Sequence, residues 1–154
     1  MEVRQLENTK QVLVAEMNNF LSNLNVMYVK LHNLHWNVTG AGFFEVHVKL
    51  EELYTDLTLD LDEVAERILT IGHKPYATMK DYLQFASILE ITSSDIKTQE
   101  AMKVATEDYI VLVRQAQEVG RLAEEAKDFR TQDLMNTLIA KYEKTLWMLQ
   151  AYSA

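Results

Sequence analysis

Apolar residues recur in steps of three and four along most of the chain, and that period leaves little room for anything but helices. Leu13, Met17, Phe20, Leu24, Met27, Leu31 and Leu34 form one stripe, the mark of a helix with a single buried face. It should end near Thr39-Gly40-Ala41-Gly42, where two glycines in three residues supply the backbone freedom of a helix end and reversal. A second stripe, Val46, Leu50, Leu53, Leu57, Leu61, Val64, Ile68 and Ile71, stops before Gly72 and the only proline, Pro75. The two helices make an antiparallel hairpin. Four glycines and one proline in 154 residues are too few turn formers for an all-β protein.

Residues 72–97 differ in character. Gly72, Pro75 and the polar run Thr92-Ser93-Ser94-Asp95 enclose a segment from Thr78 to Ser87, and Thr78 followed by Asp81 has the spacing of a capping box. The spacing predicts a short helix inside a long crossover. Ala105, Tyr109, Leu112, Ala116, Val119 and Ala123 mark a third long helix, and Met135, Leu138, Tyr142, Leu146 and Leu149 a fourth that starts near Thr131. The expected class is all-α, one domain over residues 1–154: four long helices with a short extra helix in the crossover between helices 2 and 3. That is the outline of a ferritin-like four-helix bundle, and other crossover bundles share it.

Cysteine is absent, which removes disulfides, thiolate metal sites and cysteine nucleophiles and leaves nitrogen and oxygen as metal donors. The net charge of -8 makes the average surface attract cations and repel phosphate backbones. Glu2 and Glu7 balance Arg4 and Lys10, so no basic arm is expected at the start. Neither a secretory signal nor an apolar run of membrane-spanning length is found, and a cytoplasmic location is the expectation.

His35 lies about five residues before the predicted reversal and His47 about five after it, which puts them at similar heights on neighbouring helices. Glu51 follows His47 by one turn on the same face. Imidazole and carboxylate donors without thiolate suit iron, zinc or manganese. Histidines on helix faces are commonly ordinary surface or interface residues, and spacing alone leaves that alternative standing. Asp62 and Glu66 form a second one-turn pair, for which a solvated acidic face is the plain alternative.

The separation of the pairs carries more information. Fifteen residues at about 1.5 Å each place them roughly 22 Å apart along one helix, too far to share a metal ion within one chain. They are only about 60° apart around the helix. Two copies packed antiparallel through this face about a two-fold axis would bring the His47 end of one to the Asp62 end of the other, making two equivalent sites.

Several ordered signatures run through the chain: His35-Trp36-Asn37-Val38 with Gly40, Phe43-Phe44-Glu45-Val46-His47, Asp62-Glu63-Val64-Ala65-Glu66-Arg67, then Leu69, Ile71-Gly72, Pro75, Ala86-Ser87 and Leu146-Trp147-Met148. Together they resemble the Dps family of mini-ferritins, the DNA-binding proteins from starved cells, over nearly the full length. Glu-x-x-His, used by ferritin centres inside the bundle, does not occur.

The resemblance implies a hollow homododecamer built through two-fold and three-fold interfaces, with two-iron ferroxidase centres at the two-fold contacts. His35, His47 and Glu51 would come from one subunit and Asp62 and Glu66 from its mate. Many members have Asp where this chain has Glu51. Family chemistry implies Fe(II) oxidation, preferably by hydrogen peroxide, and storage of ferric mineral in the cavity. Trp36 beside His35 is a candidate electron donor to stray oxidant or an interface aromatic. Glu124, Asp128 and Asp133 fall where the family builds an acidic iron-entry pore, although Phe129 stands where some relatives carry an acid. His32 and His73 match no family ligand. The alternative function is a DNA-compacting shell, and without a basic arm DNA binding is expected to be weak or absent.

Overall fold

The computed structural model describes residues 2–154. The element order is α1 (Glu2–Asn37), β1 (Val38–Thr39), α2 (Phe43–Thr70), α3 (Met79–Phe85), β2 (Ile96–Lys97), α4 (Thr98–Glu125) and α5 (Phe129–Ser153). Four long helices and one short helix in the crossover reproduce the ferritin-like arrangement expected from the stripes. All seven residues of the first stripe are buried, as are Val46, Leu50, Leu53, Leu57, Val64 and Ile68 of the second. At about 1.5–3 kcal/mol for each large side chain, this continuous apolar interior is the main term that holds the bundle together. Ala101, Ala105, Ala116, Gly120 and Ala123 line the packed face of α4, and their small size lets α5 approach closely: a Cβ placed on Gly120 would meet Met135 Cβ at 3.6 Å.

Capping decides where several helices begin and end. The first helix extends back from the Leu13 stripe to Glu2, through residues that are mostly exposed and good helix formers. The fourth long helix begins before Thr131: its N-cap is Asp128, whose carboxylate accepts from the Thr131 N–H at 3.1 Å and the Thr131 hydroxyl at 2.5 Å. Thr78 caps α3 as its spacing predicted, accepting from the Asp81 N–H at 3.1 Å. Helices α2 and α4 end alike. The N–H groups of Gly72 and His73 bond the carbonyls of Leu69 and Ile68, and those of Lys127 and Asp128 bond the carbonyls of Glu124 and Ala123, the paired bonds of a Schellman motif. Gly72 takes the left-handed position at φ 88, while Lys127 holds it at φ 57 against the Cβ penalty.

The crossover between α2 and α4 has little regular structure of its own, and asparagines of α1 fasten it. Asn18 donates to the Lys74 carbonyl at 3.2 Å and accepts from the Tyr76 N–H at 2.7 Å. Asn23 accepts from the N–H groups of Ser87 and Ile88 at 2.8 and 2.9 Å and donates to Ser87 Oγ and Gln115 Oε1. Asn33 donates to the Ile91 carbonyl at 3.2 Å. A short parallel pair, Val38 with Ile96 and Thr39 with Lys97, then ties the end of the crossover to the α1–α2 turn.

Ion pairs also bridge the helices. Lys30 on α1 meets Asp108 on α4 at 2.7 Å, both largely buried. Lys141 on α5 meets Asp56 at 3.0 Å and also Asp60, which is only 2% exposed and accepts from the Tyr142 hydroxyl at 2.9 Å. Burial pushes the Asp60 and Asp108 carboxyls up despite their lysines, because desolvation opposes the charged form more than the partner favours it.

Asn23→Ala should destabilise the protein by about 3 kcal/mol, because two backbone N–H groups, one of them on buried Ile88, lose their acceptor. Thermal unfolding measures the loss, and limited proteolysis should show faster cleavage within residues 74–91. Wild-type protease resistance in the variant would show that Asn23 does not hold the crossover.

Candidate metal centre

The turn Thr39–Gly42 brings the C-terminal end of α1 against the first turns of α2, with Gly40 and Gly42 in left-handed conformations at φ 108 and 75. This register places His35 and His47 face to face, ring centroids 3.7 Å apart and planes inclined by 17°. Each ring bonds the other residue's backbone. His35 Nδ1–H donates to the His47 carbonyl at 2.7 Å, and His47 Nδ1–H donates to the His35 carbonyl at 2.8 Å.

The His35 carbonyl lies in the last turn of α1, where carbonyls have no intrahelical partner, so His47 completes the helix end. A carbonyl only accepts, so both Nδ1 atoms must carry the proton. In each neutral imidazole the lone pair is then on Nε2. Metal-binding histidines are oriented in this way by a bond from their other nitrogen.

The carboxylates are placed differently. Glu51 is one turn along α2 from His47 and exposed, and Asp62 and Glu66 are exposed near the far end of the same unbroken helix. Among the described residues, no three His, Asp or Glu side chains of one chain form a group that could hold a metal ion. His35 and His47 are thus brought together, while Asp62 and Glu66 are not joined to them. Trp36 is 71% exposed, and His73 is an exposed residue of the loop after α2.

Aromatic rings that helical spacing alone does not assign to the site surround the histidines. Phe43 stacks on His47 at 5.0 Å, Tyr54 meets His35 edge-on at 5.4 Å, and His32 stacks on Tyr54 at 3.8 Å. The signal was present: Tyr54 follows Glu51 by three residues and His47 by seven, on one helix face. An aromatic residue at helical spacing reads first as core. Burial, then the nearby Glu51 and Tyr28, push the Tyr54 phenol up and keep it neutral.

Of the acids Glu124, Asp128 and Asp133, Glu124 and Asp133 are exposed. Asp128 is engaged. Besides capping α5 it pairs with Arg67 of α2 at 2.8 Å, and Arg67 Nε donates to Thr131 Oγ1 at 2.9 Å. Burial raises the Asp128 carboxyl, but the bonds from Thr131 and the Arg67 guanidinium outweigh it and hold the group below the usual carboxylate value.

The chain is similar to known proteins over most of its length. The family profile described as ferritin-like domain matches residues 14–154. The chain is 40% identical over 143 residues to the DNA protection during starvation protein of Brevibacillus brevis, covering 93% of this chain and 95% of that protein. The crystal structure of a Dps protein from Bacillus brevis superimposes with a TM-score of 0.92 at 39% identity, over 96% of this chain and 98% of that one. The Dps protein of Vibrio cholerae O1, described as a member of a broad superfamily of ferritin-like diiron-carboxylate proteins, gives 0.91 at 39% identity, over 96% and 92%.

Because the folded-state value of Asp128 is depressed, its contribution to stability is present above the ordinary 3.8 and lost as pH falls through the lower folded value. Asp128→Asn should therefore be less stable than wild type at neutral pH, with a gap that narrows as pH drops below 3.8. Thermal melts of the two proteins across pH 7 to 2.5 check this, and a constant gap would show that the charge on Asp128 contributes nothing.

Proposed function

The chain belongs to the ferritin-like family and within it to the Dps proteins, and on that premise we propose that it is an iron-oxidising and iron-storing mini-ferritin that protects against oxidative damage. The observation that carries this reading is the reciprocal pair of Nδ1–H bonds, which presents two Nε2 lone pairs from neighbouring helices while the acidic pair sits at the other end of α2. The proposed centre takes His35, His47 and Glu51 from one subunit and Asp62 and Glu66 from its partner. The single domain over residues 1–154 is the repeating unit, twelve copies form the proposed shell, and the proposed location is the cytoplasm. Among the described residues no helix is long and apolar enough to cross a membrane.

Fe(II) is the substrate, and hydrogen peroxide the proposed oxidant. Two Fe(II) ions give up one electron each, and with two protons one peroxide becomes two waters, so hydroxyl radical is not released. The residues supply what the reaction requires of the protein. Fixed imidazole nitrogens and carboxylates hold two cations close together, and the carboxylate oxygens offset their charge. Glu124 and Asp133 are the proposed entry acids, since a ring of exposed carboxylates at a symmetry axis concentrates cations. With its carboxylate tied to Arg67 and Thr131, Asp128 is proposed to shape the entry turn and add negative potential there.

A composite site makes a demanding prediction. His47→Ala and Asp62→Ala homomers should each lose most Fe(II) oxidation by peroxide. When the two variants are unfolded together and reassembled, half of the randomly formed two-fold pairs are mixed, and each mixed pair has one intact and one doubly damaged centre. Activity should return to about one quarter of wild type. Absorbance of the ferric product measures it, and no recovery in an assembled mixture would rule out a centre shared between chains.

A second reading is a DNA-binding shell, one way in which a relative named a DNA protection during starvation protein could act. The net charge of -8 and the balanced charges of Arg4, Lys10, Glu2 and Glu7 weigh against it. Duplex DNA should run unshifted with the protein in a low-salt gel at neutral pH. Retention at sub-micromolar protein would reverse the order of the two readings.

A further inference from the structure

The rings near His35 and His47 belong to a longer column. Phe43 stacks on His47, His47 on His35, Tyr54 stands edge-on to His35 with their planes at 83°, and His32 stacks on Tyr54 at 19°. His32 is itself held. Its Nδ1–H donates to the Tyr28 carbonyl one turn earlier at 2.8 Å, and the Tyr28 ring meets it edge-on at 4.6 Å and meets Tyr54 at 6.2 Å.

We propose that Tyr54, backed by His32, is a positioning residue that fixes the plane of the His35 imidazole and so aims Nε2 at the metal. The inference rests on reading His35 and His47 as metal ligands. A single hydrogen bond at Nδ1 still tolerates small χ1 and χ2 rotations of the ring, which move Nε2 sideways. Two further contacts close that freedom: the stacked His47 ring against one face and the T-shaped contact with the Tyr54 ring. Tyr54 in turn is stopped from shifting by the stacked imidazole of His32 and the edge of Tyr28. Among the described residues the Tyr54 hydroxyl makes no side-chain hydrogen bond apart from any to water. The ring, rather than the hydroxyl, is therefore the active part, and phenylalanine should replace it.

The test uses the assembled protein and Co(II) alone, anaerobically, followed by calorimetry and the visible ligand-field spectrum, with size-exclusion chromatography to check assembly. Tyr54→Phe should bind within about twofold of wild type. Tyr54→Leu should bind about 10- to 100-fold more weakly, the usual loss when support of a metal-bound histidine is removed, with an altered spectrum. His32→Leu should move the affinity in the same direction, by less, and provides the test if Tyr54→Leu does not assemble.

Wild-type affinity and spectrum in assembled Tyr54→Leu, or in His32→Leu, would overturn the proposal even if melting temperature fell. So would equal weakening in Tyr54→Phe and Tyr54→Leu, which would assign the effect to the hydroxyl. His47→Ala separates the premise from the inference. If it leaves Co(II) binding unchanged, the ligand assignment itself fails and the positioning role falls with it; if it abolishes binding, the Tyr54 series stands on its own.

Discussion

An unpaired carbonyl at the end of α1 organises much of this protein. Helices leave their last carbonyls without internal partners, and here the His35 carbonyl is satisfied by the side chain of His47 across the turn. The reverse bond from His35 closes the pair. The result sets the register of the α1–α2 hairpin, completes a helix terminus and forces both imidazoles into one tautomer. Structural need and the proposed metal-binding role are met by the same two bonds.

The rest of the bundle protects that register. Apolar stripes supply most of the stabilisation without specifying how far one helix slides along another, since one turn of leucines resembles the next. Polar contacts remove the ambiguity. Asn18, Asn23 and Asn33 take up backbone groups of the crossover at three heights along α1. The Lys30–Asp108 and Lys141–Asp60 pairs link α1 to α4 and α2 to α5. A displaced Asn18, Asn23, Lys30, Asp60 or Asp108 would be left buried and unpaired, which costs far more than a shifted leucine.

Much of this was legible from sequence because periodicity reports burial directly. Every residue of the Leu13–Leu34 stripe is in the core, and Thr78 caps the short helix. The start of the fourth long helix near Thr131 was legible, whereas its cap is decided by contact: Asp128 accepts from both the Thr131 N–H and its hydroxyl. Asp60 carries no local sign of burial, and only Lys141 and Tyr142, 81 and 82 residues on, explain it. Lys127 in a left-handed turn has no local signal, since glycine is the residue that position favours.

The sequence by itself determined that the chain forms long amphipathic helices, that His35 and His47 flank a reversal, and that fifteen residues of helix separate His47 and Glu51 from Asp62 and Glu66. These follow from local geometry, because the rise and twist of a helix are the same in any fold. Only the tertiary structure decided which ring nitrogens carry protons, that Tyr54 and Phe43 bracket the histidines, and that Asp128 is committed to Arg67. Those outcomes depend on contacts between residues far apart in sequence, where the partner that removes a group from water is set by packing.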